Sequence, residues 1–449
     1  MILKVTIENW KSFRDAATFT MLTSKERQHG ERVSSLAKYP AKVLPIAAIY
    51  GGNASGKSNF FKAIHFAKEL VVNGTRPDAF IPVQPYRLDD NAGERPSRLA
   101  FEILVDETIY EFSFSVTSKM VVEEKLVKIG LTADKVLYHR HDGKPNFHRS
   151  LAHNAFLEFA FNGTQDNQLF LTNSVLQKGD QFRPIYLWFK NNLELVAPDS
   201  RFNPFELFLE EKSPLYGTMN KLLSALDTGI CHLGGDELPF ANLPIPDEMK
   251  EKIQKELPEG VTHRIRLEPL NERFVVTRSN GELKAHKLVT YHMNQGGDEI
   301  KFEMNQESDG SQRVIDLLPA FLEAASLTSK KVYVIDEVDR SLHTLLTRQL
   351  IQSYLSGCSP ASRSQVLLTT HDVLLMDQDL LRRDEMWVVE RDRHGASSLV
   401  SFSEYNQDIR YDKDVRKSYL QGRLGGVPRI RPMVSLRPPV DSVSGSDCA

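Results

Sequence analysis

Val43-Leu44-Pro45-Ile46-Ala47-Ala48-Ile49-Tyr50-Gly51-Gly52-Asn53-Ala54-Ser55-Gly56-Lys57-Ser58-Asn59 decides the fold. The apolar run Val43 to Tyr50 reads as a buried strand, and Gly51 to Ser58 completes the pattern G-x-x-x-x-G-K-S. In a loop of this kind the glycines let backbone N–H groups curl around a polyphosphate. Lys57 then reaches the outer phosphates, and the Ser58 hydroxyl is placed to hold magnesium. The helix that follows begins at the anion and adds its positive end to the site. Phe60, Ile64, Ala67 and Val71 recur at helical spacing, and Asn73-Gly74 supplies a stop.

Magnesium needs oxygen ligands beyond Ser58, and an attacking water needs a base. Lys331-Val332-Tyr333-Val334-Ile335-Asp336-Glu337 reads as a short parallel strand ending in two carboxylates, the Walker B arrangement. Asp336 would support the ion, and Glu337 would polarise the water. Two adjacent buried carboxylates repel one another without a cation, which favours that reading. A further apolar strand, Gln365 to Thr370, ends at Thr370-His371-Asp372, 35 residues after Asp336, where a histidine can bridge Glu337, water and the terminal phosphate. Between them lies the turn Asp339-Arg340-Ser341-Leu342-His343, leading into a helix from Leu345 to Leu355. Upstream, Glu307-Ser308-Asp309-Gly310-Ser311-Gln312 opens a helix carrying Val314, Leu317, Leu318 and Phe321.

In this order and spacing the motifs resemble those of the ATP-binding-cassette ATPases of the SMC, RecF and OLD type, soluble heads and not transporter subunits. The opening turn Glu8-Asn9-Trp10-Lys11-Ser12-Phe13 is similar to that group's N-F-[KR]-S-F, and the loop has its form G-x-N-x-S-G-K-S-N. Among its members the short heads of the RloA, AbiL and PtuA/AriA type resemble this chain most. Their C-terminal pattern is similar to Asp408-Ile409-Arg410 followed by Tyr419-Leu420-Gln421-Gly422-Arg423-Leu424-Gly425-Gly426-Val427-Pro428. The likeness covers residues 1 to about 200 and 290 to about 430.

The resemblance implies an α/β fold, a P-loop NTPase of ABC-ATPase type: a mixed sheet flanked by helices, an antiparallel β subdomain and a helical insertion. It implies ATP and Mg2+ as ligands. Gly51, Asn53, Ala54, Ser55, Gly56, Lys57, Ser58 and Asn59 would hold ATP, with Lys11 touching phosphates from the first turn. Ser58 and Asp336 would hold magnesium, Glu337 would be the base, and His371 would sense the terminal phosphate. Ser308 and Gly310 would contact that phosphate from the opposite subunit, so that two chains sandwich two nucleotides. The glutamine that links magnesium to lobe movement has two candidates: Gln177, in Leu176-Gln177-Lys178-Gly179-Asp180, is preferred to Gln84. This chain departs from its relatives at Asp309, Ser311 and Ala54, where glycine, glutamine and glycine are frequent. Asp309 near a phosphate of the other subunit argues for slow turnover.

Composition fits a cytoplasmic machine. Cys231, Cys358 and Cys448 have no CxxC spacing, no run of 18 apolar residues occurs, and the first residues form a charged strand, so neither secretion nor a membrane span is expected. The formal charge of −3 opposes wholesale nucleic-acid coating. DNA contact is left to the basic segment 410 to 431, with seven basic side chains against Asp412 and Asp414. The expected division is an N-terminal ATPase half (1–200), an insertion for partner contact or oligomerisation (201–290), a C-terminal ATPase half (291–430) and a disordered tail (431–449). Helices are expected over Asn203 to Leu226 and Asp247 to Leu257, strands over Leu99 to Val105, Thr108 to Val116 and Arg264 to Met304, and a histidine-bearing hairpin around Asp142-Gly143.

The function expected is an ATPase that acts as sensor and scaffold in antiphage defence. It would be a dimer or higher homo-oligomer that answers a phage protein and controls an effector such as a nuclease, expected to be separate because the 78 residues after His371 are too few for the nuclease domain of OLD proteins. The alternatives are a RecF-like DNA-repair clamp and an ATP-locked scaffold with little hydrolysis.

Overall fold

The computed structural model describes residues 1–89, 91, 93–198, 214–267, 272–405 and 414–427. At its centre is a six-stranded sheet in the order Leu193–Val196, Val332–Ile335, Gln365–Thr369, Ile46–Tyr50, Met386–Arg391, Ser397–Ser401. The first five strands run parallel and the last is antiparallel. A parallel sheet of this kind is covered on both faces, so its strands are apolar throughout rather than alternating.

Strand periodicity sends successive side chains into two different cores. Ala47, Ile49, Val332, Val334, Leu367, Trp387 and Val389 face one core, shared with the helix Lys57–Val72. Ile46, Ala48, Tyr50, Tyr333, Ile335, Val366, Leu368 and Val388 face the other, covered by the helices Asp309–Ala325 and Thr344–Gly357. Phe60, Ile64, Ala67 and Val71 are all buried on the first face. That helix ends at Asn73, with Gly74 at φ 64 behind it, as the sequence predicts.

The same first core is closed by a seven-stranded antiparallel sheet built on Ile2–Glu8, which pairs with Ala17–Thr20 and Ser97–Val105. Thr108–Val116, Val121–Lys128, Lys135–His141 and Lys144–Phe147 follow in turn, the last two as a hairpin around Asp142-Gly143. The predicted strands over 99–105 and 108–116 lie inside this sheet.

The insertion holds the helices Pro214–Ala225 and Asp247–Glu256, and also a five-stranded antiparallel sheet spanning His232–Pro239 to Glu299–Glu303. His232–Pro239 carries Gly234-Gly235 and two acids, so nothing in its pattern predicts a strand; pairing with Glu282–Met293 along its whole length makes it one. Val275 and Leu288 of this sheet enter the second main core. Phe274, Val276 and Ala285 point the other way, into a small core with Ile253 of the helix Asp247–Glu256. The first part of the helix expected over Asn203 to Leu226, the motif Asp408-Ile409-Arg410, part of the basic segment and the tail at 431–449 lie outside the described residues. Among the described residues no helix is long and apolar enough to cross a membrane.

Candidate functional site

All four central parallel strands end at the same edge, and a cleft of about 750 Å3 opens there. Clefts at the carboxyl ends of such strands are where open α/β sheets place ligands. Asn53, Ala54, Ser55, Gly56, Lys57, Ser58 and Asn59 line one wall, Glu337 and His371 another, and Lys11, Ser12 and Gln84 a third.

The loop adopts a shape that only its glycines permit. Gly51 has φ 151, and a Cβ built there would stand 2.6 Å from both Ser55 Oγ and Val389 O. Gly56 has φ 123, and its Cβ would stand 2.5 Å from Ser397 Oγ and 2.8 Å from Ser12 Oγ. Ala54 holds the left-handed φ of 60 without being glycine, at a local cost of roughly 1 kcal/mol or more. The opening turn props this loop: Trp10 Nε1 donates to Asn59 O (3.0 Å), Asn59 Nδ2 donates to Ser12 Oγ (2.8 Å), and Ser397 N donates to Ser12 O (2.7 Å).

Lys57 is 5% exposed, and its ammonium donates to Gly51 O (2.6 Å) and Gly52 O (3.2 Å). Burial lowers its pKa to about 8, against the pull of Asp336, Asp339 and Glu337, so it remains a cation at neutral pH. Its Nζ also lies 3.3 Å from His371 Nδ1. An ammonium can only donate there, which puts the ring hydrogen on Nε2 and leaves the imidazole neutral. In keeping with this, burial and then Lys57 hold the His371 pKa below its ordinary value.

Ser58 Oγ donates to Asp336 Oδ1 at 3.3 Å, so the loop and the end of the Val332–Ile335 strand converge on one point. Asp336 is 2% exposed. A hydroxyl and a buried carboxylate are hard oxygen donors of the kind magnesium takes. Ser55, which lines the cleft, has a buried Oγ without a hydrogen-bond partner among the described residues, a further polar atom that a phosphate oxygen would satisfy. The donor set thus fits a magnesium–triphosphate pair.

Glu337 sits at φ 50, the left-handed region in a non-glycine residue. Strain of this sort costs about 1–3 kcal/mol and persists where surrounding contacts fix it. Here the fixing contact is Thr369: its Oγ1 accepts from Glu337 N (2.8 Å) and donates to Asp336 Oδ1 (2.6 Å). One hydroxyl therefore holds both the Asp336 carboxylate and the backbone of Glu337. The sequence gives no signal for this role, since Thr369 reads only as the next-to-last residue of an apolar strand.

Lys11 lines the cleft, its backbone N–H donating to Gln84 O (2.7 Å) and its Nζ to Gln84 Oε1. Gln177 closes the helix Phe170–Leu176 beside Gly163, outside the cleft. Of the two glutamines considered for the magnesium link, Gln84 is therefore the one at the cleft; the preferred Gln177 is not among the residues that line it. Ser308 and Gly310 do not line the cleft of their own chain either. Ser308 is exposed and caps the helix Asp309–Ala325, its Oγ accepting from Ser311 N (3.1 Å). Asp309, in the first turn, is also exposed. Three contacts tie this helix and the residue before its cap to the insertion sheet: Thr290 Oγ1 donates to Glu307 Oε1, His292 Nε2 meets the same oxygen at 2.7 Å, and Arg273 grips Asp316 through a buried pair at 2.7 and 3.3 Å.

A protein-family model described as "AAA domain, putative AbiEii toxin, Type IV TA system" matches residues 46–377, well over half of the chain. Among solved structures, the chain is similar to an SMC head domain from Thermotoga maritima at 14% identity, covering 89% of this chain and 98% of that one with a TM-score of 0.34. It is also similar to an SMC head bound to the C-winged helix domain of ScpA, at 14% identity, 90% and 99% coverage and a TM-score of 0.41. No curated protein sequence matches it.

Proposed function

The chain belongs to this AAA family, and from that premise we propose that it binds and hydrolyses ATP in a cleft completed by a second copy of itself. One observation carries the reading: Lys57, Ser58, Asp336 and His371, drawn from three separate strand ends, meet through contacts of 3.3 Å at the mouth of the glycine loop.

Lys57 and the loop N–H groups would hold the phosphates, and Lys11 would approach them from the opening turn. Ser58 and Asp336 would hold Mg2+, which when bound neutralises charge developing on the transferred phosphoryl group. Glu337 would accept a proton from the attacking water, and the Nε2–H of His371 would donate to the terminal phosphate. Thr369 holds the Asp336 carboxylate and the strained backbone that carries Glu337. Replacing it with Val should lower turnover roughly 10-fold or more while leaving the ATP affinity measured without metal unchanged, and Ser should restore turnover. Equal rates for Val and wild type would remove that role.

Ser308 stands exposed at a helix start outside its own cleft, a position from which it would reach the phosphate held by another copy. Substitution to Asp tests this cleanly. Asp is as good an N-cap as Ser, so the helix is kept, while a carboxylate is brought toward the other subunit's triphosphate at a cost of several-fold in dimerisation or more. Ser308→Asp should bind ATP as a monomer and fail to dimerise on it in light scattering after gel filtration. Dimers at the wild-type level would refute the shared site.

For its setting we propose antiphage defence, in which the ATP-driven dimer would sense infection through a phage protein and hold or release a separate effector such as a nuclease. Co-purification with the product of the adjacent reading frame, with and without ATP, tests it. A complex without any effector activity would count against that setting.

A further inference from the structure

The motif Tyr419 to Val427 has no part in the chemistry proposed above, yet it lies against the phosphate loop. The short helix Val415–Leu420 and Leu424 bury Val415, Tyr419 and Leu424 in the same core as Tyr50, the last residue before the loop. From that anchor the chain returns to the loop itself: Gly52 N donates to Gly426 O at 3.1 Å, and Tyr419 Oη donates to the same carbonyl at 3.0 Å. The two glycines are required by backbone conformation, and side chains crowd them. A Cβ at Gly425 would lie 1.0 Å from Glu390 Oε1, and one at Gly426 would lie 2.2 Å from Val388 Cγ2; both residues have left-handed φ, 66 and 68. Glu390 and Val388 belong to the sheet strand beside the loop's own strand.

We propose that Gly425-Gly426 is a positioning latch for the phosphate loop: it fixes Gly52 from outside so that the N–H groups farther along the loop face the nucleotide. The physical need is plain. A loop that binds through backbone N–H groups must hold each of them in one direction, and a glycine-rich loop has little stiffness of its own. The Gly52 N–H, bound outward to Gly426 O, is held away from the cleft. Displacing the segment therefore costs nucleotide affinity without touching a residue in the cleft that holds phosphate.

The inference rests on the nucleotide-site reading above, and three variants of the full-length chain separate the two. Gly425→Ala and Gly426→Ala should weaken binding of a fluorescent ATP analogue by about 10-fold or more, with far-ultraviolet circular dichroism unchanged. Tyr419→Phe, which removes one hydroxyl, should weaken it by about 2- to 5-fold and raise amide hydrogen exchange in the 46–58 peptide. Affinities within twofold of wild type in folded glycine variants would overturn the latch. If those variants do not fold, unchanged exchange in Tyr419→Phe overturns it instead. A wild-type chain that binds no nucleotide would sink the nucleotide-site reading, while the exchange measurement would still decide the latch.

Discussion

Lys57→Ala should lower the affinity for ATP by at least about 100-fold, roughly 3 kcal/mol, and leave the folded chain about as stable as wild type. Both halves follow from the surroundings of one ammonium group. Lys57 is buried, and burial lowers its pKa to about 8, so the fold gains little from its charge. Its partners are neutral: the carbonyls of Gly51 and Gly52 and the imidazole of His371. A triphosphate would replace these with charged acceptors, and charge-assisted hydrogen bonds are about twice as strong as neutral ones. Removal of the side chain therefore weighs on the bound state far more than on the fold. Calorimetric titration with ATP, beside thermal unfolding of the same variant, measures both. Binding within tenfold of wild type would show that the loop does not cradle phosphate.

Glu337→Gln should reduce hydrolysis by on the order of 100- to 10 000-fold with ATP affinity preserved, because the amide keeps the shape but cannot take a proton. The strained backbone at φ 50 and the bond from Glu337 N to Thr369 Oγ1 do not involve the carboxylate, so the turn survives. With hydrolysis stopped, ATP should hold the variant as a dimer in gel filtration. The same measurement separates a working ATPase from an ATP-locked scaffold. Near-background rates in both proteins would favour the scaffold, and the exposed Asp309 at the helix start would then be the first residue to change.

The elements nearest the cleft were legible because their signals are local. The apolar run before Gly51 and the helical spacing of Phe60, Ile64, Ala67 and Val71 each follow from one element's own period. So does the placing of His371 just beyond the strand Gln365–Thr369. The insertion was less legible. Its strand His232–Pro239 exists through pairing with Glu282–Met293, a partner some fifty residues away, and its own residues carry no strand pattern. Thr369 was missed for a related reason: its hydroxyl matters only because the Asp336 carboxylate and the Glu337 N–H, at the end of another strand, lie beside it. The glutamines show the limit of motif spacing, since Gln177 sits in the more convincing local pattern and Gln84 at the cleft.

By itself the sequence determined that a glycine loop, a carboxylate pair and a histidine stand at strand ends, because phosphate and magnesium demand fixed residue types at fixed local spacing. Only the tertiary structure decided which of the distant residues serve that loop. Ser12 and Trp10 prop it, Thr369 holds the Asp336 carboxylate, and Gly426 holds its outer side. These contacts join residues tens to hundreds of positions apart, and their strength comes from direction and distance in space, which no local pattern records.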